Sequence, residues 1–238
     1  MRRPATAMVL AAGLGTRLRP LTLDRPKALV TVAGKALIDH MLDRLAAAGV
    51  ERVVVNVHAF ADQLEDHLSG RSDLEVVISD ERSALLETGG GLKAARAHLG
   101  DDPVLVTNID SVWSEPSGPA IDRLIAAWDP DRMDDCLMLV PLENSLGFDG
   151  PGDFFRDAAG RLAHRGPAAR APLAYMGVHL MQPRLIDAWP DTAHSIFPHW
   201  MAMAERGRLH GVVIDGDWMH VGDPAAREAA EARLAVRA

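Results

Sequence analysis

Cysteine is almost absent: one residue, Cys136, among 238 rules out an internal disulfide, and no His/Cys cluster has zinc-ligand spacing. A reducing cytoplasm is the expected location. An excess of positive charge is missing too, with 25 Lys and Arg against 33 Asp and Glu and a net charge of -8. Nucleic acid and anionic membrane are therefore not expected as partners. No segment reaches the roughly 20 uncharged apolar residues that a membrane span needs. Arg2-Arg3 ahead of Ala7 to Ala12 faintly imitates a signal peptide, but the apolar run is short and Arg17 and Arg19 follow directly. It reads as a first buried strand instead. No repeat, low-complexity tract or linker divides the chain, so a single domain over residues 1–238 is expected, with 48% apolar and 24% charged residues in the ordinary globular range.

What the chain does have is a loop. Leu10 to Thr22, LAAGLGTRLRPLT, follows the apolar run and is itself followed by Pro26-Lys27. Gly13 and Gly15 free the backbone to turn N–H groups toward an anion, and Thr16, Arg17 and Arg19 add a hydroxyl and two charges. A polyphosphate suits such a loop best. The glycines begin a dinucleotide fingerprint, but position 18 is Leu and the next strand ends in Asn56 and His58 without a ribose-binding acid. The P-loop spacing is absent as well, since Lys27 lies far beyond the glycines.

Thr6 to Leu10, Arg52 to Val57, Leu74 to Ile78 and Val104 to Thr107 read as Val-rich strands, and Ile38 to Ala48, Ala61 to Leu68 and Gly90 to Leu99 as helices. This alternation predicts an α/β fold: a Rossmann-like, mostly parallel (mixed) central sheet with helices on both faces. Ligands of such sheets gather at the carboxyl ends of the strands, where the glycine loop, His58, Glu81 and Asp110 fall. Strands are expected again at Leu137 to Pro141, Asp153 to Arg156, Leu162 to His164 and Ala174 to Met181, as a smaller mixed or antiparallel lobe with a loop at Gly166 to Pro172. Helices are expected at Pro183 to Trp189, Ile196 to Arg206 and Pro224 to Val236.

The stretch A-A-G-x-G-T-R-L-x-P-L-T followed by P-K-x-L resembles the signature of the sugar-1-phosphate nucleotidyltransferases. Further matches run through Asn56-Val57-His58, Glu87-Thr88-Gly89-Gly90-Gly91, Asn108-Ile109-Asp110, Gly152-Asp153-Phe154, Tyr175-Met176-Gly177-Val178 and Trp218 to Pro224, so the resemblance covers nearly the whole chain. In its details it is most similar to the compact bacterial N-acetylmuramate-1-phosphate uridylyltransferases of cell-wall recycling. It implies Mg²⁺-dependent transfer of a nucleotidyl group from a nucleoside triphosphate, UTP first, to a sugar 1-phosphate, with Mn²⁺ as an alternative ion. Guanylyl or thymidylyl transfer to another hexose or heptose phosphate, and a non-catalytic nucleotide-sugar-binding homologue, stay open. So does the oligomeric state, with which a monomer is compatible.

The same resemblance implies the roles of individual residues. Arg17 meets the outgoing phosphates, Lys27 the reacting centre, and Asp110, at the end of a buried strand, the metal ion. Ala11, Ala12, Gly13, Gly15, Thr16, Glu81, Thr88, Gly89 and Gly90 surround the nucleotide. Asn144, Asp153, Tyr175 and Gly177 are the sugar-phosphate candidates, Gly177 through close approach of the pyranose or, equally, as a β-bulge. Family members commonly carry W-x-D-V-G-T near the C-terminus, whose Asp is a second metal ligand. Here the stretch reads Trp218-Met219-His220-Val221-Gly222-Asp223. His220 takes the ligand position, but a neutral imidazole brings no negative charge and prefers softer metals than Mg²⁺. Either His220 or Asp223 is the second ligand, or Asp110 serves with water and phosphate oxygens alone. Asp110, taken as an unpaired carboxylate in an acidic cleft, is expected to be replaceable by Asn without loss of stability.

Overall fold

In the computed structural model, which describes residues 3–236, Met1, Arg2, Arg237 and Ala238 lie outside the described residues, so Arg2 of the leader-like pair has no structural account. The first half runs β1 (Thr6–Leu10), β2 (Thr31–Val32), β3 (Lys35–Ala36), α1 (Leu37–Ala47), β4 (Arg52–Val57), α2 (Ala61–Ser69), β5 (Glu75–Asp80), α3 (Glu87–Leu99), β6 (Val104–Asn108), β7 (Ser111–Trp113) and α4 (Ala120–Ala127). The second half runs β8 (Asp135–Pro141), β9 (Ser145–Leu146), β10 (Phe154–Arg156), β11 (Leu162–His164), β12 (Leu173–Met181), α5 (Phe197–Glu205), β13 (Leu209–Val213), β14 (Trp218–His220) and α6 (Pro224–Ala235).

The central sheet has the order β11-β10-β12-β6-β1-β4-β5, with β8 joined to β12 and β13 to β8. β1 pairs in parallel with β4 and β6, and β4 with β5, so the first half is wholly parallel here. β12 then runs antiparallel to β6, β8 and β10, which makes the sheet mixed, as the sequence implies.

Strand alternation explains why both faces are covered. Ala7, Val9, Val53, Val55 and Leu105 enter one apolar cluster with Leu37, Ile38, Met41, Leu42 and Leu45 of α1. Met8, Val54, Val104 and Val106, one residue out of phase, enter a second cluster with Leu92, Ala95 and Leu99 of α3 and Trp200 and Met203 of α5. Continuous Val-rich strands, rather than alternating ones, are what a sheet buried on both sides requires. Cys136 of β8 lies beside Leu180 of β12 and His210 of β13, and burial pushes its thiol pKa up to about 12.

Several elements differ from the sequence reading. α3 begins at Glu87 rather than Gly90, and Pro183–Ala188 is a 3-10 turn of six residues instead of an α-helix. α4, β13 and the small sheet β7-β14-β9 go unanticipated; two- and three-residue strands carry no periodicity to read. No helix among the described residues is long and apolar enough to cross a membrane.

Candidate active site

The glycine loop leaves the carboxyl end of β1 under polar restraint. The amides of Ala11 and Ala12 donate to Asn56 Oδ1 at 2.6 and 3.2 Å, and Asn56 Nδ2 donates to Glu81 Oε1 at 2.7 Å. Glu81 Oε2 in turn accepts from the amide of Leu86. Asn56 and Glu81 are 3% and 1% exposed, so this chain of bonds is internal scaffolding. Ala11, Ala12 and Glu81 are thus tied together through Asn56, to which both alanine amides are bonded. Gly13 behaves differently: a Cβ there would meet nothing within 4 Å, which leaves open space for an anion. Gly15, at φ +61°, instead passes tightly under Lys27, whose Cβ would lie 2.9 Å from an added methyl group. The short turn Thr16–Leu18 presents Arg17 to solvent and buries Leu18.

Lys27 reaches across to the end of β6. Its Nζ lies 2.5 Å from Asp110 Oδ2, and the two side chains are 11% and 18% exposed. His220 Nε2 approaches the same oxygen at 3.3 Å. Burial alone would raise the Asp110 carboxyl, but the Lys27 ammonium and the His220 imidazole outweigh it and hold the group well below the usual carboxylate range. Asp110 is therefore paired, contrary to the expectation of a lone carboxylate. His220 stacks flat on Trp218 with ring centroids 5.5 Å apart, and Phe148 tilts over both. Gly222 lets a third group in: a Cβ there would sit 3.3 Å from His220 Nε2 and 3.4 Å from Arg17 Nη1. Lys27, Asp110, His220 and Arg17 accordingly converge on one corner. Asp223 is engaged elsewhere, its Oδ1 accepting from the amide of Ala226 as the N-cap of α6.

Beside this corner opens a cavity of about 220 Å³, lined by Gly13, Lys27, Asn108 and Asp110 around the carboxyl ends of β1 and β6, by Asn56 and Glu81, and by Leu85, Glu87 and Thr88 at the start of α3. The glycines that open α3 serve the protein itself. Gly89 and Gly90 donate their amides to the carbonyl of His194 at 2.8 and 3.0 Å, and Thr88 Oγ1 accepts from the amide of Ile196. A Cβ on Gly89 would strike the His194 ring at 2.5 Å, and one on Gly90 the Thr192 carbonyl at 2.8 Å. Their small size admits the 192–196 segment.

The sugar-phosphate candidates lie on the second half. Asp153 Oδ2 accepts from the amide of Tyr175, and burial raises its carboxyl. Tyr175 packs edge-on against Trp200 and His179, and burial, together with Asp135 and Asp110, raises its hydroxyl pKa well above the ordinary value. Behind it Asp135, wholly buried, binds His179 Nδ1 and accepts from Trp200 Nε1, both at 2.8 Å. Gly177, at φ +84°, sits in the bulge where the β8–β12 register shifts, and a Cβ there would lie 2.7 Å from Ser111 Oγ. Of the two readings of Gly177, the bulge is the one its surroundings fill. Asn144 ends the short turn Leu142–Asn144, half-buried.

No group of three or more His, Cys, Asp or Glu among the described residues could hold a metal by itself. Mg²⁺ does not need one: it keeps several waters and is commonly held by one or two carboxylates plus substrate phosphates. A single deprotonated Asp110 beside a phosphate-sized opening fits that donor set.

Residues 7–206 match the family described as MobA-like NTP transferase domain. The chain is 58% identical over 236 residues to an N-acetylmuramate alpha-1-phosphate uridylyltransferase of Caulobacter vibrioides, covering 98% of each chain. It is 32% identical to the enzyme of that name from Neisseria meningitidis serogroup B, over 95% of this chain and 96% of the other. Among solved structures, a UDP-glucose pyrophosphorylase from Acinetobacter baumannii superposes with a TM-score of 0.78 over 98% of this chain and 93% of its own, at 15% identity, a likeness of fold.

Proposed function

The chain belongs to the family of MobA-like NTP transferase domains, and we propose that it transfers the uridylyl group of UTP to N-acetylmuramate 1-phosphate, releasing pyrophosphate. The 58% identity along nearly the whole of both chains carries this reading. The meeting of Lys27, Arg17 and Asp110 beside one cavity supports it. A role in cell-wall recycling in the cytoplasm, within a single domain, completes the proposal.

An oxygen of the sugar phosphate attacks the α-phosphorus, a new P–O bond forms, and the bond to the β-phosphate oxygen breaks in line with it. Both reactants are anions, so the chain's task is positioning and charge neutralisation rather than proton transfer. Lys27 lies where it can exchange its contact with Asp110 for phosphate oxygens, and Arg17 where it can hold the departing β- and γ-phosphates. Gly13 leaves the space into which the polyphosphate fits. Mg²⁺ or Mn²⁺, held by Asp110 with His220 beside it and completed by phosphate oxygens, would draw charge from the α-phosphate. Asp223, as a helix cap, is the weaker second ligand. Asp153 and Tyr175 line up as the contacts of the sugar phosphate, with Asn144 nearby in the chain.

The test is pyrophosphate release from four nucleoside triphosphates against a panel of sugar 1-phosphates, with and without Mg²⁺. UTP with N-acetylmuramate 1-phosphate should give the highest kcat/KM, and only with the ion present. A clear preference for another base or sugar would replace the named substrates, and no release from any pair would remove the enzymatic reading.

A further inference from the structure

Asp135 opens β8 with a wholly buried carboxylate, in a strand whose next five residues are apolar and buried as well. Removing a carboxylate from water is costly unless it is fully bonded, and a well-packed apolar side chain of similar size would hold the strand as firmly. Stability alone does not call for it. What the carboxylate holds is a pair of rings: Oδ1 is bonded to His179 Nδ1, and Oδ2 accepts from Trp200 Nε1, both at 2.8 Å. The two rings stand at 89° to one another with centroids 5.4 Å apart. Apolar contact lets rings slip, whereas hydrogen bonds fix their direction.

Those rings form the seat of Tyr175, which meets Trp200 edge-on at 4.8 Å and His179 at 6.1 Å. Four residues of extended strand span about 13 Å, so Tyr175 and His179 would not touch in a regular β12. The bulge at Gly177 brings them together. Tyr175 pairs with Leu139 and His179 with Leu137, so four steps of β12 are set against two of β8. Tyr175 is half-buried, and its hydroxyl has no hydrogen-bond partner among the described residues, so the direction of the ring is set by this seat. Asp135 and Asp110 both act on that hydroxyl, which places it within electrostatic reach of the corner where Lys27 meets Asp110.

We propose that Asp135 is a positioning residue: through His179 and Trp200 it aims the Tyr175 hydroxyl at the phosphate of the sugar phosphate. The phenol, kept neutral by its raised pKa, donates a hydrogen bond to the anion without adding a repelling charge. The proposal rests on the reading of Tyr175 as a sugar-phosphate contact.

The test is steady-state kinetics of wild type, Asp135→Asn, Tyr175→Phe and the double variant, well below their melting transitions. Asn keeps the size of the side chain but has a single acceptor oxygen for two ring donors. Asp135→Asn should raise KM for N-acetylmuramate 1-phosphate about tenfold and leave KM for UTP within about twofold. Tyr175→Phe should do the same, and the double variant no more than either. Trp200→Phe, which keeps a ring and removes only the bond to Oδ2, takes the place of Asp135→Asn should that variant not fold. A second readout is independent of turnover: Tyr175 is the chain's only tyrosine, so fluorotyrosine labelling gives a single fluorine NMR line, sharp in wild type and broadened or split in Asp135→Asn. An unchanged KM for the sugar phosphate, equal rises in both KM values, losses that add in the double variant, or an unchanged fluorine line each overturn the assignment. If wild type turns over no sugar phosphate, the substrate reading falls, and the fluorine line still decides whether Asp135 orders Tyr175.

Discussion

The two halves of the sheet place polar groups in opposite ways. In the parallel half they sit at or beyond the carboxyl ends of the strands: Asn56 near the end of β4 and Glu81 just past β5 brace the glycine loop from inside, while Lys27, Arg17 and Asp110 meet outside the sheet. In the antiparallel half they sit on the strands themselves, with Asp135 of β8 and His179 of β12 buried behind Tyr175 and joined there by Trp200 of α5. On the proposed reading, chemistry and stability are carried by different residues in the first half and by the same neighbourhood in the second. Substitutions should separate the halves accordingly.

The largest effect belongs to the corner of the parallel half where Lys27 and Asp110 meet. Lys27→Ala should lower turnover by about a hundredfold or more with the circular-dichroism spectrum unchanged, since the lost charge acts mainly on the transition state. Near-normal turnover would remove Lys27 from the mechanism. Asp110→Asn should lower turnover at least as far. Its stability should fall by roughly 1–3 kcal/mol in a denaturant melt, because it strips the counter-charge from a mostly buried ammonium. That reverses what an unpaired carboxylate would do.

Asp135→Ala tests the other half. It leaves His179 Nδ1 and Trp200 Nε1 without their acceptor in the core, and should cost about 3–5 kcal/mol of unfolding free energy. Its effect on kcat, measured well below the melting transition, should be smaller than that of Lys27→Ala; a variant as inactive as Lys27→Ala but fully stable would erase the contrast. Gly177→Ala should follow at about 1–3 kcal/mol, through its left-handed backbone and the clash with Ser111.

The smallest effect is on pH. Burial lowers the pKa of His40, His199 and His210 below the ordinary 6.5. The unfolded chain then binds more protons than the folded one once pH drops under that value, so the stability these groups contribute is complete above it and declines toward their lowered folded values. Urea melts at pH 7.5 and 5.5 should show the loss. His210 is buried at 2% exposure, so His210→Leu should flatten the dependence; an unchanged slope would place the effect elsewhere.

The same contrast governs what the sequence makes legible. Gly13, Lys27 and Asp110 are readable because loops at strand ends keep local, ordered signatures, and the parallel strands are readable because their Val-rich runs are continuous. Asn56 as the brace of the glycine loop is not readable: its contact with Glu81 exists only because β4 and β5 pair in register, 25 residues apart. The Asp135–His179 bond likewise depends on β8 meeting β12. For a related reason the sequence does not show what packs on Gly89 and Gly90, since a glycine run signals close approach but not what approaches. His194, 105 and 104 residues further on, is the answer in this chain.

Cys136 turns the interior of the sheet into something that can be timed. It is the chain's only thiol, on a strand flanked by β12 and β13, with the thiolate suppressed by burial. A reagent that needs the thiolate must wait until those neighbours part. The rate at which iodoacetamide labels the native protein is therefore a clock for opening of the antiparallel half, independent of any event in the cavity beside Asp110.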